Sequence, residues 1–382
     1  MSKVLYKEDI EQVLIGATFL GAGGGGSLHF GVKMLNQLEE AGEDIQLELL
    51  DVGEIADKDL YGAMVAGLGS PVKIIEGAFG PDAVAAFKAF QKAFAAEGKE
   101  VKYLYSGEFG GFNTFVPMMV AILSDKDPAR RVRFLDVDGN GRAVPELNTS
   151  LNSARGFPPY PIGLGTALED MIIAYPTTDK SAETIARQLC MAYGMKIGFS
   201  TWGMSVKELE GNAVVGAVSL CLETGKAIRM AKEAGRSPFE AICEQMPALE
   251  MKRAIRGKIT DIRTETKDGF DVGSTMVKDD ATQETFTIDF QNENLLIRDA
   301  AGKVYITVPE LISIVTTEKN TVGEICAPLT NADTEVGMEV EIVVSPAHPY
   351  WWAEDKKANE CWASVLERVD YSGAMIEYPG LY

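Results

Sequence analysis

Apolar side chains recur at helical intervals near the start of the chain: Ile10, Val13, Leu14, Ala17 and Leu20 share one face over residues 9–20. A glycine run follows, and a second helical stretch, 30–41, is closed by Gly42. Residues 45–52 alternate as a strand, and 63–67 form a short apolar strand running into Gly69, Ser70 and Pro71. A helix is predicted over 81–96, with Pro81 at its start and Gly98 past its end. Residues 101–105 read as a strand ending at Ser106, Gly107 and Glu108, 114–123 as an apolar helix with Pro117 in its first turn, and 132–135 as a strand entering Asp136. A further strand over 168–175 and helices over 181–193, 213–234 and 238–245 continue the alternation. This order predicts an α/β domain over 1–250, three-layered around a mostly parallel sheet. After Met251 the texture changes to short runs rich in Ile, Val, Thr and Phe, punctuated by Gly, Asp and Asn. That pattern predicts an all-β, barrel-like domain over 251–345. Residues 346–382 are aromatic and irregular, and are expected to pack back on the first domain.

Composition narrows the function. The 382 residues hold 36 Lys and Arg against 56 Asp and Glu, a net charge of −20. Such a chain repels phosphate backbones and anionic lipid surfaces, so neither a nucleic acid nor a membrane is an expected partner. Five cysteines, none within ten residues of another, fit neither a disulfide framework nor a Cys-x-x-Cys metal site. The histidines are His29 and His348 alone, which excludes a three-histidine metal site in one chain. Residues 12–32 are uncharged and long enough to span a bilayer, but their seven glycines argue against a membrane helix. The acidic start of the chain is wrong for a signal peptide, so a cytoplasmic protein is expected.

The run Gly21-Ala22-Gly23-Gly24-Gly25-Gly26 matches G-x-G-x-x-G, with Asp51 further on at a strand end. A dinucleotide site needs a strand before the glycines, and here a helix precedes them, so no nucleotide cofactor is expected. A plain turn needs one or two glycines. Four in succession point to close backbone approach to a ligand, with amides free to bind an anion, oxygen or sulfur. Asp136-Val137-Asp138-Gly139-Asn140-Gly141 opens like an EF-hand loop, but its twelfth position is Leu147 and a strand precedes it. Ser70, Glu108, Asp136 and Asp138 all fall at strand ends, where ligands bind in open α/β sheets. The plain alternative for each is a solvated loop cap. His29 is either a ligand or a helix-start packing residue, and the aromatic run around His348 is a cavity wall or a core plug.

Several of these segments, in this order, resemble one family. Leu20 to Ser27, Gly107-Glu108-Phe109-Gly110-Gly111-Phe112-Asn113, Asp136 to Glu146, Phe290-Gln291-Asn292-Glu293-Asn294-Leu295 and Val308-Pro309-Glu310-Leu311-Ile312 are similar to the signature blocks of the S-methyl-thiohydantoin desulfurase family. Glu310 stands where that family's form carries Asp. The resemblance implies an α/β domain joined to a β-barrel-like domain, and removal of sulfur from a thiohydantoin-type ring to give a hydantoin.

Together these readings make a hydrolase of a five-membered cyclic amide or thioamide the leading expectation, with a cyclic ureide or thioureide as its small-molecule partner. Glu108 is the expected general base, with Asp138 second to it. Amides of Gly23, Gly24, Gly25 and Gly26 are expected to stabilise developing negative charge. Arg142 is expected to hold a substrate carboxylate. His29, Ser70, Asn113, Glu146 and Asn292 complete the candidate binding set. A metal-assisted version would place one divalent ion among Glu108, Asp136, Asp138 and His29. A non-catalytic binding or accessory protein is the third reading, and a homo-oligomer stays open. The site is expected in a cleft between the two domains, roofed by the aromatic tail. Strand alternation would turn Asn292 and Asn294 toward it rather than Gln291 and Glu293.

Overall fold

A computed structural model describes residues 2–69, 73–74, 77, 79–267, 269–318, 326–353 and 357–378. Ser70 lies outside the described residues. Among those described, the first sheet joins nine strands: β1 (Lys3–Tyr6), β2 (Gln46–Leu50), β3 (Tyr61–Gly69), β4 (Val101–Ser106), β5 (Arg133–Asp138), β6 (Ile162–Gly165), β7 (Met171–Ala174), β8 (Lys196–Ser205) and β9 (Val214–Val215). The order β1-β2-β5-β4-β3-β8-β6-β7 puts four parallel strands, β2, β5, β4 and β3, side by side, with antiparallel strands flanking them. The parallel strands end at Leu50, Gly69, Ser106 and Asp138, and Ser106 pairs with Asp138.

Helices cover both faces. On one side lie α1 (Lys7–Leu20), α2 (Leu28–Glu40), α3 (Gly80–Ala96), α4 (Phe115–Leu123) and a later helix, α6 (Ala217–Ala234). They bury Leu14, Phe19, Phe90, Phe115 and Cys221 in one cluster. On the other side α5 (Asp179–Ala192) sets Ala182, Ala186 and Cys190 against Phe199 and Trp202 of β8. Helices on both faces complete three layers. Among the described residues no helix is long and apolar enough to cross a membrane. The uncharged stretch 12–32 is divided between α1 and α2 by the glycine loop.

The second sheet is antiparallel throughout. It comprises β10 (Lys252–Lys267), β11 (Phe270–Asp279), β12 (Thr285–Gln291), β13 (Glu293–Asp299), β14 (Val304–Thr307), β15 (Leu311–Thr316), β16 (Pro328–Leu329) and β17 (Glu339–Ser345), in the order β14-β13-β12-β11-β10-β17-β15-β16. Its end strands β14 and β16 do not pair, so among the described residues the sheet is open and the expected barrel does not close. The apolar cluster around Phe19 and Phe115 continues into Leu295, Val308, Leu311, Trp351 and Trp362. One core therefore runs through both domains and fixes the cleft between them. The aromatic tail ties to both domains. Trp351 donates its indole N–H to the Asn140 carbonyl, and Trp352 donates to the Glu310 carboxylate.

Candidate active site

The glycine loop links α1 to α2 and is the floor on which the site is assembled. Gly23, Gly25 and Gly26 have φ of 93°, 69° and 83°, backbone that other residues rarely adopt. The Gly25 and Gly26 carbonyls accept the amides of Gly111, Phe112 and Asn113, so the loop is bonded directly to the segment after β4. On the other flank the Ala22 and Gly23 carbonyls accept the amides of Asn294 and Asn331 from the second domain. A Cβ on Gly25 would lie 2.0 Å from the Phe109 carbonyl. The close approach that demands these glycines is thus to the protein's own backbone and side chains, where the sequence suggested approach to a ligand. Within this loop the Gly24 N–H bonds back to Gly21, whereas those of Gly23 and Gly26 have no hydrogen-bond acceptor among the described residues.

Above the loop is a cavity of about 560 Å³ between the two domains. Glycines 23–26, Glu108, Asn113 and Glu146 of the first domain line it, facing Asn292, Glu293 and Asn331 of the second. The expected interdomain position holds. The expected roof does not, because no described residue beyond Thr334 lines the cavity. The tail instead packs behind one wall, where Arg368 pairs with the Glu146 carboxylate.

Glu108 is half-buried, and its exposed side opens on the cavity. Oε1 accepts Asn113 Nδ2 at 2.6 Å, and Oε2 accepts the Val144 amide at 2.8 Å. Burial pushes its carboxyl up to about 7 against those two donors, with the neighbouring Asp138 charge pushing the same way. A carboxyl poised there is suited to general-base work near neutral pH.

Strand alternation predicts that Glu293 turns away from the cleft, and the structure instead places it in the cavity lining. Asn292 takes φ 55° between β12 and β13, which breaks the alternation and brings Glu293 to the cavity. Its side chain is buried, and Oε2 has no hydrogen-bond partner among the described residues. Burial raises its carboxyl, and the nearby Glu108 charge adds to the effect. Asn294 points away and donates to the Ile312 carbonyl. Asn292 does line the cavity, but its Oδ1 is held by the Asp271 amide and its carbonyl by Asn331. Glu146 also reaches the cavity, with its Oε1 accepting from Gln291 and Arg368.

Other expected site residues lie elsewhere. Arg142 is fully buried and does not line the cavity. Its guanidinium donates to the carbonyls of Ala143, Pro309, Glu310 and Asn294, and stacks over Trp362. It is a staple between domains and is not available to a substrate carboxylate. Asp138 is buried behind the cavity wall, where its Oδ1 accepts the Asn140 and Gly141 amides. Burial lifts its carboxyl to about 7. Asp136 caps α6, accepting the Val218 and Ser219 amides and the Ser219 hydroxyl. His29 is exposed on the first turn of α2, edge-on to Phe30. The four residues of the metal-assisted reading therefore do not converge, and among the described residues no group of three or more His, Cys, Asp or Glu could hold a metal ion.

Fold and site together define a two-domain protein with a carboxyl-bearing cavity at the domain junction. Comparison assigns it a family. S-Me-THD-like, N-terminal domain, matches residues 8–174, and S-Me-THD-like, C-terminal domain, matches 177–362; the chain belongs to this family. The junction between these two matches falls inside the first sheet, because β8 and β9 return to it after residue 177. A crystal structure of a protein from Chromobacterium violaceum, a structural-genomics target, is 23% identical and superposes with a TM-score of 0.80, covering 98% of this chain and 99% of that one. That likeness supports the fold. No curated protein sequence matches the chain.

Proposed function

We propose that the protein is a hydrolase that removes sulfur from a thiohydantoin or S-methyl-thiohydantoin ring, water supplying the oxygen of the resulting hydantoin. The observation that carries this reading is Glu108: a carboxyl held by two donors, open on one side only, and that side is the cavity. Membership of the S-Me-THD-like family supports a ring of this kind as the substrate. Glu108 takes a proton from water as the water oxygen bonds to the ring carbon bearing sulfur. The free amides of Gly23 and Gly26 are assigned to the negative charge that develops there. A volume of about 560 Å³ accommodates a five-membered ring with a substituent.

The test incubates purified protein with a panel of thiohydantoins and S-methyl-thiohydantoins and follows release of sulfide or methanethiol. Turnover is expected from the wild type. Glu108→Gln is expected to bind and to lose roughly 10²–10⁴-fold in rate. A folded wild type that turns over no member of the panel refutes the proposal.

A further inference from the structure

Three carboxyls, Glu108, Glu293 and Glu310, act on the charge of the buried Arg142 guanidinium, whose own hydrogen bonds all go to backbone carbonyls. One cation cannot neutralise three carboxylates, two of them buried and one half-buried, so the donors each one finds decide which of them keeps a proton. Glu310 accepts three, from Ala347 N, Tyr378 N and Trp352 Nε1. Glu108 accepts two. Glu293 has the Gly25 amide beside it and nothing on Oε2, although it is only 3% exposed. The proton therefore belongs on Glu293, and Oε2, which has no donor to stabilise a negative charge on it, is the atom that carries it. Because Glu293 and Glu108 line the same cavity, a ring bound there has both an acid and a base beside it.

We infer that Glu293 is a second catalytic residue, the general acid that complements Glu108. The inference rests on the hydrolytic reading above. As the water oxygen bonds to the ring carbon, Glu108 takes one water proton. The carbon–heteroatom π pair, C=N in an S-alkylated ring or C=S in a thione, moves onto the heteroatom, and Glu293 gives that atom its proton. The intermediate then collapses: the C–S bond breaks, the sulfur leaves with the proton held by Glu108, and the hydroxyl proton passes to Glu293 as C=O forms. Both carboxyls end as they began, and no further reactant is consumed.

The experiment has two arms. In the first, kcat/KM of the wild type is measured against pH on a thiohydantoin that it turns over. A bell is expected, its acid limb from Glu108 and its alkaline limb from Glu293. Glu293→Gln should lose about 10²-fold or more and also lose the alkaline limb. A wild type without an alkaline limb, or a folded Glu293→Gln variant of undiminished rate, overturns the assignment while leaving the hydrolytic reading intact. The second arm needs no substrate. Infrared difference spectra of wild type against Glu293→Gln at pH 8 should show a protonated-carboxyl band that belongs to Glu293. Absence of that band overturns the assignment even if no ring in the panel is turned over, an outcome that would by itself count only against the hydrolytic reading.

Discussion

A Cβ built on Gly24 would lie 2.1 Å from Oε1 of Glu293. The glycine of one domain thus makes room for the carboxyl of the other. Gly24 has no left-handed backbone to protect, and the atoms nearest the added Cβ all belong to the Glu293 side chain, which must move. Gly24→Ala is expected to fold with a melting temperature close to wild type and to lose at least about tenfold in turnover through displacement of a proton-transfer group. Gly25→Ala is different in kind. It combines φ 69° with a Cβ 2.0 Å from the Phe109 carbonyl, so it should destabilise the protein itself. Parallel thermal melts and rate assays of the two variants separate the effects. Equal activity of Gly24→Ala and wild type would show that the position of Glu293 is immaterial.

Asn113 sets the charge of Glu108. Its Nδ2 donates to Oε1 at 2.6 Å and so favours the carboxylate over the neutral acid. Asn113→Ala removes that donor, and the Glu108 carboxyl should then rise above its present value of about 7. A hydrogen bond to a charged group is worth ~1.5–3 kcal/mol, so the acid limb of the pH–rate profile should move upward by roughly one pH unit or more. Rate at pH 6 falls most, and rate at pH 9 falls least. A profile that loses amplitude without moving would indicate that Asn113 serves only structure.

Arg142 tests the junction. Its four carbonyl partners come from both domains, and its charge acts on the carboxyls of Glu108, Glu293 and Glu310. Arg142→Ala leaves four buried carbonyls without their donor and the ionised carboxyls without a counter-charge, and should cost about 3–5 kcal/mol of stability. Arg142→Lys should recover little of it, because an ammonium cannot reach carbonyls arrayed around a planar fork. Denaturant titration monitored by tryptophan fluorescence measures both. Full stability of the lysine variant would mean that charge alone, without the fork, holds the junction.

The sequence carried the parts of this architecture that leave a periodic or positional trace. α1, α3 and the strands of the second sheet follow from apolar spacing. Glu108 follows from the rule that ligands gather beyond the ends of parallel strands. What was not legible depends on contacts between distant segments. β8 is ten residues long and almost wholly buried, yet it reads as nothing in particular. Its Gly198 and Gly203 lie against Asp82 and Phe94 of α3, where an apolar side chain would not fit. Glu293 was hidden because alternation was carried across Asn292, whose left-handed backbone resets it. Arg142 looked like an anion receptor beside a run of acids. Nothing local shows that the carbonyls of Pro309, Glu310 and Asn294 fold around it.

Asp138 offers a prediction about stability rather than rate. Its carboxyl is fully buried, and burial raises it from 3.8 to about 7 in the folded protein. In the unfolded chain the same group ionises near 3.8. Between those two values the folded state binds more protons than the unfolded state, so stability falls as pH rises from about 4 to 7 and is flat above that. The cost of ionising this one group in place is on the order of a few kcal/mol at pH 7 and above. Glu108, also raised to about 7, acts with the same sign. The melting temperature should therefore be higher at pH 5.5 than at pH 8. Asp138→Asn keeps an oxygen for the Asn140 and Gly141 amides and removes the titration, so its melting temperature should depend less steeply on pH over that window. Scanning calorimetry of both proteins across pH 5 to 8.5 reads the two slopes. Identical slopes would mean that Asp138 is ionised throughout, with its charge compensated inside the fold.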